Sequence, residues 1–304
     1  MRVASIDVGS NSLLMLVAER GENGHWERVE EHAEVARISE GLDQHGVLQE
    51  GPIGRALAVL RVFVDRARAL EVDHIWVTGT APFRRARNGL EVATLFEESL
   101  GVPFRVVSGD EEGALTLLAT AASFPQFPRM CVLDIGGAST ELLRWEDGVV
   151  ESQSIDLGVV RLLERYVAHD PPTESELQAL RKGIREELRA SLTRPEGTWP
   201  LVGVAGTVTS LAALDLQLVE WDPVRVQGHR LARSSMEAQG QKLWGQTIEE
   251  RCRECGVDPR RADVIAIGAW YLYELCVYLQ VDEVLVSDRG LRWGRIFEEG
   301  EALS

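Results

Sequence analysis

The sequence predicts an α/β protein made of two similar halves, because one short pattern occurs once in each half. In the second half, the apolar residues 130–133 lead into Asp134 and a turn of small residues at 136–140. In the first half, the apolar residues 3–6 lead into Asp7 and a similar turn. Each pattern is typical of a buried strand that ends in a glycine turn. The repetition indicates an internal duplication.

The duplication extends beyond the two turns. A second apolar segment follows each turn and then meets a dipeptide typical of a two-residue β-hairpin, Asn23-Gly24 or Asp147-Gly148. The two aspartates that precede the turns are 134 − 7 = 127 positions apart. The alternative, two ordinary glycine-containing β-turns, is weakened because the hairpins match as well. One turn in each half implies a ligand held between two lobes.

Both turns have the composition of a phosphate-binding loop. Glycine lets backbone N–H groups approach an anion without an intervening Cβ, and serine and threonine add hydroxyl donors. The candidate phosphate-binding residues are Gly9, Ser10, Asn11, Ser12, Gly136, Gly137, Ala138, Ser139 and Thr140. A third predicted strand, 201–205, runs into Gly206 and Thr207, which complete the candidate set.

Two further strand ends carry charged residues. The predicted strand 74–77 runs into a loop with three arginines at 84–87, and the predicted strand 103–107 delivers three consecutive acids, 110–112, to the start of a helix. A solvated charge cluster and a favourable macrodipole interaction are the alternative explanations. Open α/β sheets bind ligands at such strand ends, which favours phosphate binding by the arginines. A carboxylate at the second junction can orient a water molecule for attack on phosphorus.

Length and composition limit the function classes. With 304 residues and 45% hydrophobic residues, we expect about two domains with sizeable cores, 1–124 and 125–304, divided where two prolines interrupt the chain. We expect the last helix of the second domain to pack back on the first. A predicted strand at 35–38 and an apolar helical stripe at 53–67 belong to the first domain.

Charge and targeting signals point to a cytoplasmic protein. The net charge of −16 argues against nucleic acid or anionic membranes as partners, since both need a basic field. An acidic residue comes too early for a signal peptide, and no apolar stretch reaches the length of a membrane span. The four cysteines include only one Cys-x-x-Cys pair, which is too few for a zinc site. A phosphorylated ligand must therefore meet local donors, cations and a metal.

Seven blocks of this sequence together resemble the exopolyphosphatase/guanosine pentaphosphate phosphohydrolase (Ppx/GppA) family. In family order they are residues 7–12, 80–88, 108–112, 134–141, 158–162, 205–207 and 287–292. The resemblance covers nearly the whole chain and is to the short, two-domain members. It implies the duplicated fold shared by actin, sugar kinases and Hsp70, the ribonuclease H-like or ASKHA class, with the active site in the cleft between the lobes.

The resemblance also implies roles for individual residues. Glu112 matches the general base for the attacking water, Arg84 matches an arginine that contacts phosphate, and Glu141 matches an acid that closes the second turn. Asp7 and Asp134 match acids that hold a divalent cation, for which Mg²⁺ suits oxygen ligands. The implied activity is metal-dependent release of orthophosphate from inorganic polyphosphate, a hydrolysis of phosphoric anhydrides.

Two positions depart from the family pattern, and alternatives stay open. Ala138 replaces a glycine, and Gly113-Ala114 replaces an Ala-Arg pair after the candidate base. Guanosine pentaphosphate is the alternative substrate. A kinase of the same fold predicts an adenosine pocket near Gly206 and Thr207, and a polyphosphate or alarmone sensor predicts binding without hydrolysis. A homodimer is left open.

A long polyanion would need a basic channel. The candidate arginines for such a channel are Arg84, Arg85, Arg87, Arg161, Arg230, Arg289 and Arg292.

Overall fold

The computed structural model describes residues 1–146 and 149–302. Contacts within the chain define two compact units: Met1–Ala119 together with the chain from Leu291 onward, and Thr120–Gly290. The first division falls inside a helix, so the expected domain boundary after residue 124 stays a prediction. Among the described residues, no helix is both long enough and apolar enough to cross a membrane.

The first unit is a five-stranded mixed sheet with helices. Its elements are β1 (Arg2–Val8), β2 (Ser12–Arg20), β3 (Trp26–Val35), α1 (Leu42–His45), α2 (Glu50–Ala69), β4 (His74–Gly79), α3 (Ala81–Arg85), α4 (Gly89–Leu100), β5 (Phe104–Val106) and most of α5 (Gly109–Ser123). The strand order is β3-β2-β1-β4-β5, with β1 antiparallel to β2 and parallel to β4. The central strand is buried along most of its length, which explains its run of apolar residues.

The second unit repeats this arrangement and extends it. Its elements are β6 (Arg129–Ile135), β7 (Thr140–Glu146), β8 (Val149–Ile155), α6 (Val159–Tyr166), α7 (Glu174–Ser191), β9 (Leu201–Val204), α8 (Ala205–Asp215), α9 (Pro223–Val226), β10 (Arg230–Ala232), α10 (Arg233–Trp244), α11 (Ile248–Cys255), α12 (Ile265–Leu279) and β11 (Glu283–Val286). The sheet order is β10-β11-β9-β6-β7-β8. Counted from β8, it matches the first sheet strand for strand before β10 is added. The predicted duplication is confirmed.

The last helix, α13 (Leu291–Ala302), belongs to the first unit. It packs closely on α5, because a Cβ on Gly294 would lie 1.9 Å from the carbonyl oxygen of Leu115. Its residues Trp293 and Ile296 are buried with Val3 of β1 and Ala119 of α5. This contact fixes the helix that begins at the three consecutive acids.

The structure confirms some of the predicted local elements and contradicts one. Helix α7 begins with a capping box, in which Glu176 N donates to Thr173 Oγ1 and Thr173 N donates to the Glu176 carboxylate. The predicted strand at 35–38 is wrong: β3 ends at Val35, and the following residues turn away to hydrogen-bond the first glycine turn. The first hairpin is confirmed with a longer loop, closed by Gly21 N donating to His25 O. The hairpin dipeptide Asp147-Gly148 lies outside the described residues.

Candidate active site

The turn after β1, which we call turn A (residues 8–12), is closed by one hydrogen bond. Gly9 N donates to Ser12 O at 3.1 Å. The carbonyl of Asn11 accepts hydrogen bonds from the amides of Ala36 and Arg37, at 3.1 and 2.9 Å. Within the described residues, the amides of Ser10 and Asn11 have no acceptor. Turn A therefore presents two backbone donors suited to an anion.

The turn after β6, turn B (residues 135–140), has the same closure. Gly136 N donates to Ser139 O at 3.0 Å. The carbonyls of Gly136 and Gly137 accept hydrogen bonds from Val159 N and Val160 N, at 3.1 and 2.9 Å. Among the described residues, the amides of Gly137, Ala138 and Ser139 have no acceptor. Turn B is therefore held from the side of α6 and keeps its own donors available.

Asp7, at the mouth of turn A, has an unusual carboxyl group. Its Oδ1 atom is buried and, among the described residues, has no hydrogen-bond partner. The pKa of Asp7 is raised to about 7, chiefly by burial and then by the negative charge of Glu112, while the guanidinium of Arg292 opposes the shift. Thr78, the partner of Asp7 in the β1–β4 register, also has a buried hydroxyl oxygen without a partner. Unpaired buried oxygens are costly, so this place is suited to a ligand or cation.

Glu112 and Arg84 meet in the first unit. Arg84 Nη1 donates to Glu112 Oε2 at 2.8 Å and also to the carbonyl of Val107 at 2.9 Å. Arg84 lies in α3 after β4, and Glu112 lies in the first turn of α5 after β5. Because β4 and β5 are parallel neighbours, their ends bring the two side chains together. Among the described residues, Glu112 Oε1 has no partner, so it can accept a proton.

Asp134 and Glu141 are direct cross-strand partners at the mouth of turn B. Ser154 Oγ donates to Glu141 Oε1 at 3.1 Å. Directly opposed side chains of an antiparallel pair lie on one face, and like charges there repel. A bound cation would relieve that repulsion.

Comparison with known proteins identifies the family. The model of the Ppx/GppA phosphatase family matches residues 16–302. The chain belongs to this family.

Relatives of full and partial length match this member of the Ppx/GppA family. It is 30% identical to Exopolyphosphatase 2 of Mycobacterium tuberculosis over 95% of this chain and 96% of that protein. It is also 30% identical to the guanosine-5'-triphosphate,3'-diphosphate pyrophosphatase of Vibrio vulnificus, covering 97% of this chain but 58% of that protein.

Solved structures confirm the fold. The crystal structure of the Aquifex aeolicus Ppx/GppA family member matches with a TM-score of 0.86 and 30% identity, over 100% of this chain and 99% of that one. An exopolyphosphatase from Cytophaga hutchinsonii has the same fold at 21% identity, with a TM-score of 0.86 over 99% of this chain and 98% of that one. The predictions of a duplicated α/β fold and of a phosphatase are confirmed.

Several residues predicted to bind phosphate have structural roles in this Ppx/GppA protein. The buried hydroxyl of Thr140 donates to Leu157 O at 2.7 Å and accepts from Tyr271 at 3.0 Å, so it faces the core rather than a ligand. The buried hydroxyl of Thr207 donates to Ile135 O at 3.3 Å. The amides of Gly9 and Gly136 are used by the turns. These four groups have partners within the protein, and phosphate contact by the candidate residues Gly9, Ser10, Asn11, Ser12, Gly136, Gly137, Ala138, Ser139, Thr140, Gly206 and Thr207 stays a prediction.

The predicted basic channel is also corrected in part, because most of its arginines are already paired. The pairs are Arg84 with Glu112, Arg85 with Asp43, Arg87 with the carbonyl of His45, Arg161 with Asp156, Arg230 with Glu283, and Arg292 with Glu31. A paired guanidinium attracts a distant polyanion less than a free one does.

One residue that the sequence reasoning missed is Arg261. Its guanidinium lies against the residues that follow β9, where a Cβ on Gly206 would be 1.6 Å from Arg261 Nη1. Burial lowers the pKa of Arg261, although Asp258 opposes this. The preceding residue, Ala205, has φ 63°, a strained conformation for a residue with a Cβ. The sequence does show an Arg-Arg pair just before an apolar helix. Sequence alone does not place this pair beside Gly206, which lies 55 residues earlier.

The residues present fit a divalent cation without forming a complete cage. Among the described residues, no cluster of three or more histidine, cysteine or acidic side chains could hold a metal ion. In the first unit, the Oδ1 atom of Asp7 is an oxygen that suits a cation; in the second unit, the cross-strand carboxyl groups of Asp134 and Glu141 have the same chemistry. Mg²⁺ is commonly held by one or two carboxylates together with water and substrate phosphates. Each of these two groups of oxygens, taken by itself, is of the type that Mg²⁺ uses.

Proposed function

We propose that this chain is a cytoplasmic exopolyphosphatase, which releases orthophosphate from the end of inorganic polyphosphate. The match to Exopolyphosphatase 2, at 30% identity over 95% of this chain, supports this choice. The negative net charge of the chain argues against nucleic acid as a substrate, because binding nucleic acid needs a basic surface. The proposed substrate is a small or linear phosphate anion.

The observation that carries the proposal is the Arg84–Glu112 contact beside the buried carboxyl of Asp7. Arg84 holds Oε2 of Glu112, and Oε1 is left to accept a proton from a water molecule. A water oriented in this way is the nucleophile for attack on the terminal phosphorus. Arg84 acts as a positioning residue for the base, in place of the direct phosphate contact that its sequence position suggested.

Asp7 and Asp134 are the proposed ligands of a divalent cation, with Glu141 beside Asp134. When bound, Mg²⁺ supplies positive charge that offsets the negative charge of the phosphate oxygens. The free amides of turns A and B donate hydrogen bonds to phosphate oxygens, and fixed N–H dipoles of this kind stabilise charge that develops during the reaction. Ser139 adds a hydroxyl donor in turn B.

Arg261 weighs against the kinase alternative. The guanidinium of Arg261 occupies the space beside Gly206 where an adenosine would have to bind. A cation at this turn suits an anionic chain better than a neutral base. Guanosine pentaphosphate stays the second candidate substrate, because its 5'-terminal phosphate presents the same anhydride.

The test is orthophosphate release from long-chain polyphosphate, guanosine pentaphosphate and ATP, each with Mg²⁺ and with a chelator. We expect metal-dependent release, fastest from polyphosphate, and a loss of roughly a hundredfold or more in Glu112→Gln, since a general base contributes about 10²–10⁴-fold. Equal rates in the variant would exclude Glu112 as the base.

The matched control is Asp110→Asn, which removes one carboxylate two residues away. Asp110 is exposed, so we expect activity within about twofold of wild type. Tight polyphosphate binding without release from any substrate would replace the hydrolase proposal with the sensor.

A further inference from the structure

We propose that the second unit carries a separate binding site for an oligophosphate anion, at the opposite end of the sheet's strands from turn B. This site goes beyond the proposed hydrolysis and does not require it. It consists of a cavity lined by the C-terminal parts of α7 and α12 and by the loop after α7, and its arginines lie in α7 and in that loop.

The cavity has a volume of about 1130 Å³ and lies where β6 and β9 begin. Cys131 and Leu201 line it, and these residues stand at the starts of the two strands, whereas Asp134 and Val204 stand at their other ends. Because a strand rises about 3.3 Å per residue, the cavity is separated from turn B by the length of the sheet. The two sites in this unit are therefore distinct.

The cavity is lined by three arginines in a chain of net charge −16. Arg189 in the last turn of α7 and Arg194 in the following loop are exposed, and neither has an ion-pair or hydrogen-bond partner in the part of the chain that the structure describes. Arg185 is bound to the buried Glu274, with Nε to Oε2 at 2.7 Å and Nη2 to Oε1 at 2.8 Å.

The acids in the lining do not cancel this charge. Glu274 is shared between Arg185 and Arg181, whose Nε lies 2.7 Å from Glu274 Oε1, so its charge is already neutralised. Glu196 is the other acidic lining residue. Counting the lining residues Arg185, Arg189 and Arg194 against Glu196 and Glu274, the formal charge is 3 − 2 = +1, and Arg181, which also pairs with Glu274, adds one more positive charge nearby. Most arginines of the first unit's candidate site are paired, so two unpaired guanidiniums facing one cavity indicate an anion site.

The walls of the cavity are fixed before any ligand binds. Gln153 makes two hydrogen bonds to the backbone of Thr193, at 3.0 and 2.7 Å, which anchor the start of the loop that carries Arg194. Trp199 anchors its end, since its Nε1 donates to Glu196 O at 2.7 Å. Tyr278 of α12 donates to the carbonyl of Leu192. A cavity with anchored walls loses little entropy when it binds.

The chemistry of the lining favours a phosphate chain over a nucleoside. Guanidinium groups match phosphate oxygens with two parallel hydrogen bonds. The guanidiniums of Arg129 and Arg144 already lie over the ring of Trp199, at 5.0 and 5.3 Å, so this ring is not available to stack a base. The volume slightly exceeds that of ordinary ligand pockets, about 300–1,000 Å³, and accommodates several phosphates.

The experiment is calorimetric titration of Glu112→Gln with inorganic tripolyphosphate in a chelator, repeated with Arg189→Ala/Arg194→Ala added. We expect the double substitution to remove one binding event or to weaken it at least tenfold. The control is Lys182→Ala/Lys242→Ala, which removes two exposed positive charges elsewhere in the unit and should leave that event unchanged. GTP serves as a second probe, and we expect it to bind this site more weakly than tripolyphosphate.

Identical titrations of the arginine and lysine variants would overturn the proposal. Tighter binding of GTP than of tripolyphosphate, lost in the arginine variant, would overturn the inorganic ligand in favour of a nucleotide. If the double variant does not fold, Arg194→Gln alone tests the same site, because Arg194 is an exposed loop residue. A chain that fails to hydrolyse polyphosphate would still show this binding event, so the two proposals fail separately.

Discussion

Turns A and B are closed by the same backbone hydrogen bond but lie among different charged groups. Each is closed by the amide of its first glycine, at 3.1 Å to Ser12 O and at 3.0 Å to Ser139 O. Around turn A lie charged groups: the buried Asp7 and the Arg84–Glu112 pair. Around turn B lie the carboxylates of Asp134 and Glu141 and the backbone hydrogen bonds from Val159 and Val160. A duplicated fold has kept the turn while its two copies have diverged in chemistry.

The residue opposite each strand aspartate illustrates the difference. Leu14 stands opposite Asp7 in the β1–β2 register, whereas Glu141 stands opposite Asp134 in the β6–β7 register. Turn A thus has a single strand carboxyl, whose pKa is raised chiefly by burial and also by the charge of Glu112. Turn B gathers two carboxylates on one face, which suits a cation. We infer that turn A contributes to reactivity and turn B to holding the substrate.

The largest expected effect comes from moving turn B without changing its charge. A Cβ on Gly158 would lie 2.4 Å from the carbonyl carbon and oxygen of Gly137, so Gly158→Ala must displace the turn. A misplacement of about 1 Å can cost roughly a hundredfold in rate, and overpacking costs about 1–3 kcal/mol of stability. The measurements are phosphate release and urea unfolding.

The control for this substitution is Gly245→Ala. The nearest atoms to its added Cβ are 3.9 Å away, and its φ is −77°. We expect unchanged activity and stability within about 0.5 kcal/mol of wild type. A Gly158→Ala enzyme within threefold of wild type would show that hydrolysis does not depend on the position of turn B.

The second-largest expected effect comes from removing the ionisable carboxyl group of Asp7 at turn A. In the unfolded chain Asp7 ionises near its usual pKa of 3.8, and in the folded protein near 7. The folded state therefore holds a proton that the unfolded state has released, and stability is lost as pH rises from about 4 to about 7. Asp7→Asn removes this loss. Without metal at pH 8, we expect it to raise the free energy of unfolding by on the order of 2 kcal/mol, less than the full pKa difference implies, because Asp7 keeps part of its surface exposed although its Oδ1 atom is buried.

Thermal unfolding in a chelator at pH 4, 6 and 8 measures this difference. The gain should shrink toward pH 4, because folded Asp7 is protonated there and the unfolded side chain is close to half-protonated. Asp110→Asn should show no such pH dependence, because its carboxylate is exposed. An Asp7→Asn protein less stable than wild type at pH 8 would show that the ionised carboxylate of Asp7 does not destabilise the folded state.

Sequence patterns were informative where burial dictated composition. The central strands β1 and β6 are buried along nearly their whole length, so apolar residues identified them and the duplication. The edge strand β3 is largely exposed and rich in glutamate, and its extent was not predicted. Edge strands carry little apolar signal because one side faces solvent.

Contacts between distant residues limited the site prediction. Arg84 and Glu112 are 28 positions apart and meet only because their strands are neighbours. Thr140 was assigned to phosphate by its place in the turn, but its hydroxyl bonds to Tyr271, 131 positions later. Local sequence gives the residue types at a turn, whereas the direction of each side chain is set by packing partners elsewhere in the chain.

The smallest expected effect removes one neutral bond behind turn B. Tyr271 donates to Thr140 Oγ1 at 3.0 Å and lies 3.3 Å from Leu157 O, while Thr140 keeps its own 2.7 Å bond to Leu157 in Tyr271→Phe. Loss of one buried hydrogen bond costs about 1 kcal/mol, so we expect that decrease in unfolding free energy. If turn B holds substrate, KM for polyphosphate should rise a few-fold with kcat nearly unchanged. Tyr273→Phe on the same helix is the control, since its ring contacts Trp270 and its hydroxyl takes no part in this network. A lower kcat at unchanged KM in Tyr271→Phe would instead assign turn B to the reacting phosphate, and the division of roles between the two turns would be wrong.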